Sequence, residues 1–286
     1  MALHKPPAGA KIEHEGIPLV NRDMLNRILG SAIVAVCVVG GILRGGWVWD
    51  LVASVIALCS LWEMYKLLSS KYKLSRGWGL AGALFMLVTV SMGFSFALTL
   101  SILAFVAFLV LFTEVIRRES TGQSFSLWNM GGTLSGLVYI VLPWSFMILI
   151  RSQAMGQIIL LTIFFCTWSC DVAAYAIGSK FGQTPFCSKV SPKKSWEGFW
   201  AGVMASTFCG SALAWFFEFP PMPLLMLGLL CGVAGQLGDL CESVMKREAR
   251  VKDSGAAIPG HGGFLDRFDS ILVNATLAFL IIEVIG

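Results

Sequence analysis

The chain of 286 residues is 56% hydrophobic and only 13% charged, with a net charge of +4. A soluble domain carries about 25% charged residues, so this chain has too little charge to coat a water-facing globule. It also has too much Leu, Ile, Val and Phe for extended disorder, which leaves a polytopic all-α membrane protein whose apolar surface faces lipid.

In chain order, residues 1–27 read as a cytoplasmic N-terminal arm, rich in Pro and Gly at its start and mixed in charge. A bilayer core takes about 20 apolar residues per helix. Residues 77–113 contain no charged residue. As one helix they would run about 55 Å, nearly twice the hydrocarbon thickness, so the chain is expected to fold back near 92–95. The same reasoning predicts nine spans, at 28–43, 47–68, 78–94, 96–115, 131–150, 155–178, 197–217, 222–245 and 267–286. They divide into an N-terminal transmembrane region, 28–150, and a C-terminal region, 151–286, that holds the chemistry-bearing residues.

Cytoplasmic loops hold the positive excess of a membrane protein. When the loops are assigned alternately, every basic residue except Arg44 and Arg151 falls on the N-terminal side: Lys5, Lys11, Arg22 and Arg27, then Lys66, Lys71, Lys73 and Arg76, then Arg117 and Arg118, then the groups 180–194 and 246–267. This alternation predicts a cytoplasmic N-terminus, an external C-terminus and an odd number of spans. Most of the cysteines lie in apolar stretches and no Cys-x-x-Cys pair occurs, which is the setting of a small hydrophobe.

Ionisable residues inside membrane segments are costly and mark functional sites. Asp171 follows the apolar run 158–170. Asp239 shares a helical face with Glu242 and Ser243 at i+3 and i+4. Asp266 and Asp269 open the last span one turn apart and project the same way. Each acid alone can serve as the interfacial partner of a nearby Lys or Arg. Clustered beside one basic loop, spare carboxylates require a cation, and Mg²⁺ takes carboxylate oxygens while keeping waters or substrate phosphates as its other ligands. The expected metal ligands are Asp239, Asp266 and Asp269.

Two basic loops adjoin these acids. Segment 246–263 combines Lys246, Arg247, Arg250 and Lys252 with several glycines. Basic side chains neutralise phosphates, and glycines let backbone N–H groups approach phosphate oxygens. The same segment also reads as a positive-inside loop with turn glycines, His261 being one of the turn residues. In the other loop, Lys193 and Lys194 precede a helix whose first turn holds Ser195 and Glu197. That is a phosphate site at a helix N-terminus, or a capping turn with topology lysines. Neither a Gly-Lys-Ser/Thr loop ending nor a His-Glu-x-x-His arrangement is present.

The residues Ser243-Val244-Met245-Lys246-Arg247, Lys252-Asp253, Gly255, Ile258-Pro259, His261-Gly262-Gly263-Phe264 and Asp266-Arg267-Phe268-Asp269 resemble the signature of phosphatidate cytidylyltransferases, also called CDP-diacylglycerol synthases. Trp168-Ser169, Asp171, Ala173-Ala174-Tyr175, Gly178, Phe181-Gly182 and the run Ser191-Pro192-Lys193-Lys194-Ser195-Trp196-Glu197-Gly198 are similar to that family too. The motif-level likeness covers 168–270; the N-terminal half agrees only in hydropathy.

The resemblance implies transfer of the cytidylyl group of CTP to phosphatidic acid, giving CDP-diacylglycerol and pyrophosphate in phospholipid biosynthesis. It implies an Mg²⁺-dependent enzyme of the bacterial inner membrane with its site facing the cytoplasm. A second cation such as K⁺ would share the centre on Asp239, Asp266 and Asp269. Lys246 and Arg247 join these as expected catalytic residues. The expected substrate-binding residues are Asp171, Ser191, Lys193, Lys194, Ser243, Lys252, Asp253, His261, Gly262, Gly263 and Arg267. The implied partners are CTP, phosphatidic acid and the bilayer, with a homodimer and no nucleic acid. Two other readings stand beside this one: a CTP-dependent lipid-alcohol kinase releasing CDP, and a secondary transporter using intramembrane carboxylates. Carboxylates clustered toward one face and the lack of an inverted repeat weigh against transport.

Overall fold

Helices form along each of the apolar stretches, and glycines mark several of the reversals between them. The computed structural model describes residues 22–69, 73–251, 254–255 and 263–285. Most of the expected arm, 1–21, and the loop positions 70–72, 252–253 and 256–262 lie outside the described residues. The order is α1 Arg22–Arg44, α2 Gly46–Leu68, α3 Arg76–Ser91, α4 Phe96–Thr121, α5 Ser126–Gly136, a π-helical turn Leu137–Val141, α6 Leu142–Ser152, α7 Gly156–Phe181, β1 Pro185–Cys187, β2 Ser191–Ser195, α8 Trp196–Phe216, α9 Pro221–Glu248 and α10 Leu265–Ile285. α5, the π turn and α6 run on as one helix, Ser126–Ser152.

The reversal expected near 92–95 is present: α3 stops at Ser91, and Gly93 takes a left-handed φ of 73°, which glycine adopts without steric cost. Gly45 and Gly46, at φ 66° and 54°, likewise separate α1 from α2. Six described helices are long and apolar enough to cross a membrane: Gly46–Leu68, Phe96–Thr121, Ser126–Ser152, Gly156–Phe181, Trp196–Phe216 and Pro221–Glu248. Gly30–Arg44 and Arg76–Ser91 are apolar but shorter. On α4, Phe105, Phe108 and Phe112 share an outer face and are between 60% and 69% exposed. A face of that kind belongs against lipid rather than water. The protein is an all-α integral membrane protein.

Two kinds of packing hold the bundle. An aromatic core joins α2, α6, α7 and α10, with Trp49 and Trp144 at 6.4 Å, Trp49 and Phe164 at 6.3 Å, and Trp144 and Phe268 at 5.2 Å between ring centroids. Around α8 the contacts run through glycine: Gly202 lies against Cys170, Gly228 against the Ser206 backbone, and Gly232 against Val203. Small residues let helix backbones approach closely where lipid supplies no hydrophobic drive between helices.

The reading of the segment between the predicted spans 155–178 and 197–217 as a loop needs a correction. β1 and β2 pair antiparallel, Pro185 with Ser195 and Cys187 with Ser191. Phe186 anchors the ribbon against Trp196 and Phe199, at 4.6 and 4.8 Å. Lys193 and Lys194 therefore sit on a strand leading into α8, not on a free loop. The physical reason is the added backbone pairing and ring packing, which a polar, Pro-containing run does not advertise.

Candidate active site

α7, α9 and α10 carry the acids, and glycine sets how close these helices come. A Cβ on Gly238 would stand 3.0 Å from the Asp269 carbonyl oxygen and from Val273. One on Gly235 would stand 2.8 Å from Asn274 Nδ2. Asn274 is itself buried and donates to Thr167 Oγ1 at 2.8 Å and to the Cys231 carbonyl at 3.4 Å, tying α10 to α7 and α9. This approach places Asp171, Asp239, Asp266 and Asp269 on one cavity of about 730 Å³. Lys193, Lys194, Lys246 and Arg267 line the same cavity. A second cleft of about 350 Å³ shares Asp171, Asp266, Arg267 and Asp269 and continues between α7 and α1 past Val34, Ala35, Trp168 and Val172.

Two of the lysines are already paired with acids. Lys194 Nζ lies 2.6 Å from Asp239 Oδ2 and donates to the Gln236 carbonyl at 3.2 Å. Gln236 in turn donates to the carbonyls of Phe199, 3.1 Å, and Gly232, 2.8 Å, so β2, α8 and α9 are held as a unit. Lys246 Nζ sits between Asp266 Oδ1 at 2.7 Å and Glu242 Oε2 at 3.3 Å. The other Asp266 oxygen accepts from the Ser254 N–H and hydroxyl, both at 3.0 Å, and from the Gly263 N–H at 2.9 Å. Asp269 is 8% exposed, and its Oδ1 accepts from the Ser270 N–H at 2.7 Å. Ser195 caps α8 by accepting from the Gly198 N–H at 3.2 Å, the expected role of such a residue before a helix.

The structure brings together Asp171, Asp239, Asp266, Asp269, Lys193, Lys194, Lys246 and Arg267. Ser243 touches the site through its hydrogen bond to Asp239 Oδ1, 3.4 Å, and Gly263 through its bond to Asp266. Arg247 and Ser191 do not line the cavity: the Arg247 guanidinium donates to the Val190 carbonyl at 3.2 Å, and Ser191 pairs with Cys187 in the ribbon. Lys252, Asp253, His261 and Gly262 lie outside the described residues. Glu63 on α2 was not anticipated. It accepts from the Leu265 N–H at 3.0 Å and the Ser254 hydroxyl at 3.3 Å. The signal was a lone carboxylate inside the otherwise apolar stretch 51–65.

Among the described residues no group of three or more His, Cys, Asp or Glu side chains is arranged to hold a metal ion. The donor chemistry nonetheless fits a hard divalent cation: carboxylate oxygens face one polar cavity, and no thiolate or imidazole of the described residues lines it. The geometry shows those oxygens engaged by lysine and by backbone N–H groups.

A model of the cytidylyltransferase family matches residues 25–285. The chain is 45% identical to the phosphatidate cytidylyltransferase of Synechocystis sp. over 126 residues, a stretch covering 43% of each chain. It is 31% identical to the phosphatidate cytidylyltransferase of Staphylococcus aureus (strain COL) over 262 residues, which is 90% of this chain and 98% of that one. With the Bacillus subtilis (strain 168) protein of the same name the identity is 32% over 274 residues, 91% and 98% of the two chains.

Proposed function

The chain belongs to the cytidylyltransferase family, and we propose that it transfers the cytidylyl group of CTP to phosphatidic acid, forming CDP-diacylglycerol and pyrophosphate. The observation that carries this reading is the cavity in which four basic residues face four aspartates carried by apolar helices. Both substrates are phosphate anions. The phosphatidate oxygen is already anionic near neutral pH, so the reaction asks little of a general base. It attacks the α-phosphorus of CTP; the new P–O–P bond forms as the bond to the β-phosphate bridging oxygen breaks and pyrophosphate leaves.

Lys193, Lys194, Lys246 and Arg267 neutralise these phosphates and hold them in line, where positioning and charge stabilisation carry phosphoryl chemistry. Arriving phosphates compete for Lys194 and Lys246, and each carboxylate that gives up its lysine becomes available to a cation. Asp239, Asp266 and Asp269 would hold Mg²⁺, with a second cation such as K⁺ beside it. When bound, such ions supply charge neutralisation of both phosphates. The narrower cleft, walled by Val34, Ala35, Trp168 and Val172, suits the apolar part of the lipid, and the wider cavity suits the nucleotide.

The finer topology belongs to the same proposal: nine spans, a cytoplasmic N-terminus, an external C-terminus, and a site facing the cytoplasm from a bacterial inner membrane. Its support is the placement of all basic residues but Arg44 and Arg151 on one side. A homodimer is proposed from the resemblance alone. The test is to incubate the purified protein with labelled CTP, phosphatidic acid and Mg²⁺. CDP-diacylglycerol and pyrophosphate are expected. Release of CDP with a phosphorylated lipid alcohol would replace the reading with the kinase, and no nucleotide turnover in several detergents would sink it.

A further inference from the structure

We propose that Glu63 is a positioning residue for cytidylyl transfer: it seats Ser254 and the start of α10 so that Asp266 stays aimed at Lys246. The reaction it serves is the one proposed above. Glu63 comes from α2, which lends no described residue to the wall of the wider cavity. It is 5% exposed in a helix long and apolar enough to cross a bilayer. An ionisable side chain in that setting is costly and marks a function; a leucine would serve the span better.

Its contacts are specific. Oε2 accepts from the N–H of Leu265, the first residue of α10, at 3.0 Å. The first N–H groups of a helix have no partner within it, and a negative charge there is favoured by the helix dipole. The same oxygen takes the Ser254 hydroxyl at 3.3 Å, while that hydroxyl lies 3.0 Å from Asp266 Oδ2. A serine hydroxyl has a single proton, so Ser254 divides it between the two carboxylates and couples them. The backbone is shaped around this carboxylate as well. A Cβ on Gly255 would lie 2.7 Å from Glu63 Oε1, and one on Gly263 would overlap Oε2. Gly263 is the residue whose N–H also binds Asp266. Oε1 is buried with no hydrogen-bond partner among the described residues, an expense that packing alone does not justify.

The test uses the full-length protein with Glu63→Gln, Ser254→Ala and the double variant, compared with wild type. The single variants are expected to melt within about 3 °C of wild type, while kcat falls about tenfold and KM for CTP stays within about twofold. The double variant should lose no more than the worse single one, because both act through the same link to Asp266. Folded variants with wild-type kcat, or losses that multiply, overturn the proposal. If Glu63→Gln does not fold, Ser254→Ala decides: reduced kcat at unchanged KM supports it, and wild-type kcat overturns it. A readout without substrate is trypsin cleavage after exposed Arg250. It should accelerate about tenfold in Glu63→Gln as the segment opens locally, and an unchanged rate overturns the seating. Wild-type protein that makes no CDP-diacylglycerol would overturn the proposed reaction instead, and the cleavage rates would still judge Glu63.

Discussion

At the scale of single residues, Lys194 and Lys246 hold Asp239 and Asp266 in ion pairs at the centre of the site. Asp269 is the most enclosed of the three proposed metal ligands, and it sits one turn from Asp266 on α10. Asp269→Asn keeps the shape and the bond from the Ser270 N–H but removes the charge. Turnover should fall at least about 100-fold, the scale at which one preorganised electrostatic contact acts, with the melting temperature in detergent unchanged. A wild-type rate in this variant would remove Asp269 from the proposed centre. Hard-cation chemistry makes a second prediction: EDTA should abolish turnover and Mg²⁺ restore it, read as pyrophosphate release. Activity that survives exhaustive chelation would leave the lysines and Arg267 as the whole of the charge stabilisation.

At the scale of helices and strands, glycine decides the spacing. Gly238 stands against the Asp269 backbone, beside Asp239, so Gly238→Ala forces α9 and α10 apart at the acids. Overpacking of this kind costs about 1–3 kcal/mol; a small drop in melting temperature with a disproportionate loss of kcat is expected. Gly232→Val, which presses on Val203 of α8 away from the aspartates, should lower stability first, and equal behaviour of the two variants would argue against a spacing role. Six of the spans were legible in the sequence because charge is scarce and their apolar runs have the length of a bilayer. The acids at 239, 266 and 269 were legible because they interrupt those runs. Their pairing was not: Lys194 reaches Asp239 from another element, and only packing sets which lysine meets which acid. Arg247 shows the converse, since its basic neighbourhood matches that of Lys246 while its side chain turns to Val190. The β1–β2 ribbon was hidden by its polar, Pro-containing composition, and Glu63 by its distance in sequence from the loop it seats.

At the scale of the whole molecule, charge carries the orientation. Every lysine of the chain lies on the side proposed to be cytoplasmic, and the opposite side holds only the arginines Arg44 and Arg151. That asymmetry fits the positive-inside rule and the chemistry, because CTP is a cytosolic solute while the lipid phosphate lies at the interface. Lys180, in the last turn of α7, and Lys189, between β1 and β2, are exposed. A membrane-impermeant amine reagent applied to inverted membrane vesicles should therefore label both, with peptide mapping as the readout, whereas right-side-out vesicles should give no lysine label. Labelling of Lys180 or Lys189 from outside would reverse the orientation and with it the placement of the site. Because the face proposed to be external has no lysine at all, the two vesicle preparations should differ by presence against absence rather than by degree, and a single misplaced span would show as label on the wrong side.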